Sequence, residues 1–368
     1  MSGNVPDVRV AAGADHLAMT PHSRAPSSRV KRSFQLGTTA TALVAAALIV
    51  PTGSSAHSHK VHRVRAHVAH GTLTVTGGHG GQQVALRLKA GDPSRIEVDA
   101  GDDGSADFSV SRARVRAIKV KMGDGNDSAR IDDANGAFTD AIPTTIAGGD
   151  GNDTLEGGQV QLAAENETFN GGDGNDLVDG GKGNDIAYLG NGNDTFRWDN
   201  GEGSDVIEGQ HGRDTMVFNG AAASENVTLT ANKGRLTFFR TQGNVTMDTD
   251  GVETVDFNAL GGTDSVVVND LAGTDVRQTN IDLAATLGGT LPDGIADNVV
   301  VNGTNGDDAI SVAGNGSGAD VTGLATTVSI THADPTDTLS VNTLEGTDLV
   351  RAAGVAGVLQ VLVDGTPV

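Results

Sequence analysis

The stretch GGDGNDTLE (148–156), GGDGNDLVD (171–179), GGKGNDIAY (180–188) and LGNGNDTFR (189–197) sets the terms for the whole chain. It closes through GEGSDVIE (201–208) and GQHGRDTMV (209–217). Three copies run end to end at a period of nine, each with a glycine-rich turn, an aspartate at the sixth place and an apolar residue at the eighth. A fixed period means that each unit stacks on its neighbours. Glycine permits the positive φ that turns carbonyls inward. The aspartate adds a hard anionic oxygen, and oxygen donors without sulfur or nitrogen favour calcium.

Working outward, composition narrows the fold. Aromatic residues make up 3% of the 368, while glycine reaches 52. A globular core built on large rings is therefore excluded in favour of rows of small and β-branched residues, as in a solenoid. The formal charge is −22, and residues 148–217 hold 15 acids against 3 bases. That charge argues against nucleic acid and anionic membrane as partners and in favour of cations. Solvation alone does not require acids in register with glycines and apolar residues. Cysteine is absent, so there are no disulfides, and calcium can supply the stapling that they give other secreted proteins.

These residues resemble the nonapeptide GGxGxDxUx of the RTX, or haemolysin-type, calcium-binding repeats, closely over about 70 residues. The resemblance implies an all-β fold: a calcium-bound parallel β-roll within a longer irregular β-solenoid. It implies Ca2+ at Asp153, Asp176, Asp185, Asp194, Asp205 and Asp214, with Asp150 and Asp173 at third places and turns shaped by Gly149, Gly151, Gly172, Gly174, Gly181 and Gly183. Asp127, in GDGNDSARI (123–131), is the first such aspartate. In the family two nonapeptides make one coil, so residues eighteen apart lie above one another, as Asp176 and Asp194 would, and Glu167 and Asp185. Two unit charges near 5 Å repel by roughly 3 kcal/mol at an effective dielectric of 20. Without a cation such an array should not close, which makes binding and folding one equilibrium.

The copies are uneven. Lys182 and Asn191 replace the third-place acid, His211 and Arg213 dilute the last copy, and 157–170 is five residues too long for one repeat. The expectation is a strict stack from about Glu167 to Asp194, offset on either side. Leu155, Val178, Ala187, Phe196, Ile207 and Met216, at the eighth places, should point inward.

Before the roll, Arg24, Arg29, Lys31 and Arg32 precede an apolar run from Thr38 to Val50 and the small-residue site Ser54-Ser55-Ala56. This is the layout of a secretory signal peptide cleaved after Ala56, with Met19 as an alternative start. The expected divisions are a signal region (1–56), a histidine-rich linker (57–70), an N-terminal β region (71–147), the roll (148–217) and a degenerate β-solenoid (218–368). The run is too short to span a bilayer, so the mature chain is expected to be secreted without a membrane span. His57, His59, His62, His67 and His70 could bind zinc, nickel or copper, or form a weakly basic tether; the tether is preferred because no acid falls among them. Asp102, Asp103 and Asp107 around Gly104 form a candidate calcium loop that lacks the twelfth-position acid of an EF-hand. The apolar ending 359–368 has no polar cap, so the last coil is expected to pair or fray.

Enzyme signatures are missing from the sequence: there is no HExxH, no GxSxG and no cysteine nucleophile, and His79, His211 and His332 sit in no acid–base constellation. The leading expectation is a non-catalytic, secreted calcium-binding protein with a structural or adhesive role and cell-surface or glycan partners. The alternatives are a polysaccharide-modifying enzyme or toxin-like accessory module on the solenoid, or an extracellular metal buffer.

Overall fold

The computed structural model describes residues 64–160 and 166–368. The export segment, the Ala56 junction and His57, His59 and His62 lie outside them. Among the described residues the chain forms two sheets, of 15 and 14 strands, and both are largely parallel through the repeats. The fold is all-β: a parallel β-roll that continues into a longer, irregular solenoid. No helix among the described residues is long and apolar enough to cross a membrane.

The nonapeptide period explains the roll. Each copy puts its apolar places on a short strand, which in one sheet runs on into the glycines of the next copy, so successive copies fall alternately on the two sheets. One sheet stacks Thr154–Glu156, Leu177–Asp179, Thr195–Trp198 and Thr215–Asn219. The other stacks Thr144–Asp150, Glu167–Asp173, Ile186–Gly192 and Val206–Gly212. The eighth-place residues form the inner rows: Leu155, Val178, Phe196 and Met216 lie over one another in one sheet, Ala187 and Ile207 in the other. All six are completely buried. The few rings are concentrated where the roll ends. Trp198 stacks on Phe218 at 3.9 Å, and Phe218 packs at 4.4 Å on Phe238. Such ring pairs add about 0.5–1.5 kcal/mol each beyond their burial.

Coil length varies, yet register holds. Thr154 pairs with Ser128, Leu177 with Thr154, Thr195 with Leu177 and Thr215 with Thr195, which are steps of 26, 23, 18 and 20 residues. The step that matches two nonapeptides falls within Glu167–Asp194, as expected, and the copies on either side are offset by insertions yet still pair in register. The extra residues leave the strands at the turns, so insertions cost loop entropy without shifting a ladder pair.

Elsewhere the irregular coils are antiparallel insertions. Asn226–Asn232, Arg235–Arg240 and Val245–Asp250 form a meander spliced between two parallel neighbours, Val206–Gly212 and Ser265–Val268. Ala309–Gly314, Ala319–Thr322 and Thr327–Thr331 do the same in the other sheet. Two boundary expectations change. The strand Arg65–Ala69, containing His67, pairs with Thr72–Thr76, so β structure begins inside the stretch read as linker. At the other end Thr366–Pro367 folds back on Gln360–Val363. A hairpin thus forms each end of that sheet.

The turns demand glycine for space as well as for φ. At Gly192, φ is +144°, and a Cβ would lie 1.7 Å from the Gly174 carbonyl oxygen of the preceding coil. Gly104, in an exposed hairpin at φ +90°, would meet nothing within 4 Å. We expect Gly192→Ala to destabilise the calcium-saturated protein by about 2–4 kcal/mol and Gly104→Ala by about 1 kcal/mol. Denaturant unfolding of the two variants checks the ordering.

Candidate metal centre

Immediately before each of these strands the sixth-place aspartate is buried beneath its glycines, and the coils bring these side chains into columns. In the first column Asp127, Asp153, Asp176, Asp194 and Asp214 follow one another. The backbone N–H of each donates to Oδ1 of the next: Asp127 to Asp153 at 2.8 Å, Asp153 to Asp176 at 2.8 Å, Asp176 to Asp194 at 2.7 Å and Asp194 to Asp214 at 2.8 Å. Gln82 donates into the head of the column, and Glu253 accepts from Asp214 at its foot. In the second column Glu167 donates to Asp185 at 2.6 Å and Asp185 to Asp205 at 2.8 Å. Asp176 over Asp194 and Glu167 over Asp185 are the eighteen-residue pairs that the sequence suggests.

Each ladder bond uses one carboxylate oxygen. The other, Oδ2 of Asp127, Asp153, Asp176, Asp185, Asp194, Asp205 and Asp214, is buried with no hydrogen-bond partner among the described residues. These oxygens face the turn glycines: a Cβ on Gly171 would lie 2.4 Å from Oδ2 of Asp176, and one on Gly148 2.1 Å from Oδ2 of Asp153. Backbone carbonyls reach the same points: the Gly148 Cβ would also lie 2.7 Å from the Gly171 oxygen, and that of Gly171 2.2 Å from the Leu189 oxygen. Gly149, Gly151, Gly172, Gly174, Gly181 and Gly183 all have positive φ. An unpartnered buried carboxylate oxygen is costly. Seven in register, next to rows of carbonyls, form an oxygen-only donor set of the kind that calcium takes.

Burial dominates the electrostatics. It pushes Asp153 up to about 6 and Asp176, Asp205 and Asp214 up to about 7. Asp185, buried between Asp205 and Glu167, is pushed up to about 10. Asp127 and Asp194 are raised for the same first reason.

The third-place acids sit differently. Asp150 and Asp173 are exposed on the outer side of their turns, close enough for their charges to raise Asp153 and Asp176. Asn191 donates to Asp173 Oδ1 at 2.6 Å, and Lys182 Nζ donates to the Gly201 carbonyl at 2.7 Å, so both replacements remain within the stack. The Asp102–Asp107 loop gathers no column: Asp102 pairs with Arg130, Asp103 accepts from Ser105 N–H and Asp107 from Ala100 N–H.

Sequence reasoning missed two features. The fifth-place asparagines form their own ladder, Asn175 N–H to Asn152 Oδ1 and Asn193 N–H to Asn175 Oδ1, both at 2.8 Å; the recurring Asn before each Asp was the available signal. Asp179, Asp199 and Glu202 bring ligand oxygens within 4.8 Å of one another. There Arg197 pairs with Asp179 at 2.5 Å, and burial, followed by the charge of Asp179, pushes Glu202 up to about 9. No repeat position announces that trio.

A carboxyl whose pKa is raised from 3.8 holds its proton more tightly in the fold than in the unfolded chain. The metal-free fold therefore gains stability as pH falls, and loses it as pH rises from about 4 through the shifted values near 6–7. In chelator, β structure followed by circular dichroism should be greater at pH 5 than at pH 8, and saturating calcium should abolish that difference.

No curated protein matches the chain. Residues 144–159, 163–196 and 201–221 match the family model of the RTX calcium-binding nonapeptide repeat, in four copies. This part of the chain is an RTX repeat block, and its repeats support a calcium-binding role.

Proposed function

We propose that the protein is a secreted, calcium-dependent structural or adhesive protein whose roll holds Ca2+ between successive turns. The observation that carries this reading is the register of unpartnered, buried aspartate oxygens along two columns. Asp127, Asp153, Asp176, Asp194 and Asp214 are the carboxylate ligands of the first column, and Asp185 and Asp205 those of the second. The turns at Gly149, Gly151, Gly172, Gly174, Gly181 and Gly183 supply carbonyls, and Asp150 and Asp173 add charge at the outer surface. A calcium ion at about 2.3–2.6 Å from such oxygens replaces carboxylate repulsion with attraction.

Secretion rests on the N-terminal sequence pattern, and it fits the chemistry. Extracellular calcium modules bind at roughly 10⁻⁴–10⁻³ M. A chain of that affinity stays open at cytosolic calcium and closes outside. The structural or adhesive role rests on the rigid solenoid and on the absence of a catalytic signature from the sequence. Cell-surface and glycan partners follow from that role.

Asparagine keeps the Oδ1 acceptor of the ladder and removes the charge. Asp176→Asn with Asp194→Asn, stacked in one column, should raise the calcium midpoint measured by calorimetry at least tenfold. Asp102→Asn with Asp107→Asn, outside the columns, should leave it within about twofold. Equal effects from the two pairs would contradict the assignment.

A further inference from the structure

One cluster of buried oxygens belongs to no nonapeptide turn. Between the strands Ser128–Asp132 and Thr144–Asp150 the chain makes two short turns, Asp133–Asn135 and Thr139–Ala141. They carry Asp133 and Thr139 inward towards Gly158, and both lie before the repeat match begins at residue 144. Asp133 is 7% exposed, Thr139 3% and Glu167 1%. Among the described residues Asp133 Oδ1 has no hydrogen-bond partner, and the nearest side-chain hydrogen-bonding groups to the Glu167 carboxyl are the Thr139 hydroxyl and Asp185, neither of them in close hydrogen-bond geometry.

The Asp133 and Thr139 side chains converge on Gly158. A Cβ on Gly158 would lie 2.7 Å from Asp133 Oδ2 and 3.5 Å from Thr139 Oγ1. The Glu167 carboxyl lies within range of the Thr139 hydroxyl and of the Asp133 and Asp185 carboxylates. Asp133 Oδ2 is already engaged by the N–H groups of Gln159 and Val160, at 2.9 and 3.2 Å, which fixes the carboxylate with Oδ1 free. Asp140 stands nearby and adds negative charge to Asp133, while its own Oδ1 is 3.6 Å from Arg112 Nη2. Arg112 is thus turned to Asp140 and leaves Asp133 and Glu167 without a cation.

We infer that Asp133, Thr139 and Glu167 form a further divalent-cation site, outside the repeat motif, that ties the 132–144 loop to the first coil of the roll. The donors are carboxylate and hydroxyl oxygens with no sulfur or imidazole, which selects calcium over zinc or copper. A hydroxyl aimed into the cluster separates this set from a bare patch of acids. The site shares Glu167 with the second column and to that extent rests on the calcium reading of the repeats. Asp133 and Thr139 are its own.

Calcium bound per chain, counted by equilibrium dialysis on the full protein, tests it. At a concentration that saturates the wild type, Asp133→Asn should bind one calcium fewer, and the nearly isosteric Thr139→Val should bind that calcium at least tenfold more weakly. Both should keep the calcium-induced circular dichroism of the roll. Undiminished binding in both variants, with a loss in Asp194→Asn, overturns this site and leaves the repeat reading intact. A wild type that binds no calcium overturns both. Should Asp133→Asn fail to fold, long-wavelength anomalous diffraction from wild-type crystals grown in calcium decides. A peak among Asp133, Thr139 and Glu167 supports the site, and peaks along the columns with none there overturn it.

Discussion

The whole structure depends on how buried carboxylates are kept one above another. Strands about 4.8 Å apart set the spacing of the columns, and the ladder bonds hold Asp127 through Asp214 in that spacing whatever the length of each coil. The backbone N–H neutralises part of each carboxylate and leaves the second oxygen bare. At this spacing the repulsion between neighbours, roughly 3 kcal/mol per ionised pair at an effective dielectric of 20, is large beside the 5–15 kcal/mol net stability of a typical domain. Protons relieve it at low pH, and a divalent cation relieves it at neutral pH.

Beyond the two columns a further ladder runs from Glu225 through Asp264 and Asp297 to Asp337, and only some of the other buried acids are met by the chain's own cations. Asp99, fully buried, is paired with Arg87 at 2.8 Å. Glu225, also buried, is paired with Arg240, whose guanidinium lies 5.5 Å from the Trp198 ring centroid. Arg235 serves Glu208 and Asp248. The contrast is informative about the columns, because no arginine or lysine pairs with their aspartates among the described residues. A fixed guanidinium supplies one charge in one place. A mobile divalent ion supplies two, and makes closure conditional on its concentration.

Much of this was legible in the sequence, for a physical reason. Where the period is nine, the residue type at each place reports its environment: glycine where a Cβ would strike the preceding coil, aspartate beneath it, and an apolar residue in the row. The all-β roll, the inward rows from Leu155 to Met216 and the pairing of Asp176 over Asp194 follow from counting. Counting fails where the period does. The steps of 26 and 23 residues hide the continuity of Asp127, Asp153 and Asp176, because extra residues at 132–144 and 157–167 change the spacing without changing the ladder. The spliced meanders were visible as strands, but their antiparallel order is set by tertiary pairing that no local pattern encodes. Asp133 and Thr139 lie in such an irregular turn, and only the fold brings them to Glu167.

Amide hydrogen exchange, resolved residue by residue with calcium and with chelator at neutral pH, tests the dependence most directly. The N–H groups of Asp153, Asp176, Asp185 and Asp194 donate into the carboxylate columns. If calcium closes the columns, these amides are strongly protected in its presence and exchange like an unfolded chain in chelator. Equal protection in both conditions would show that the columns close without a cation and would contradict the account.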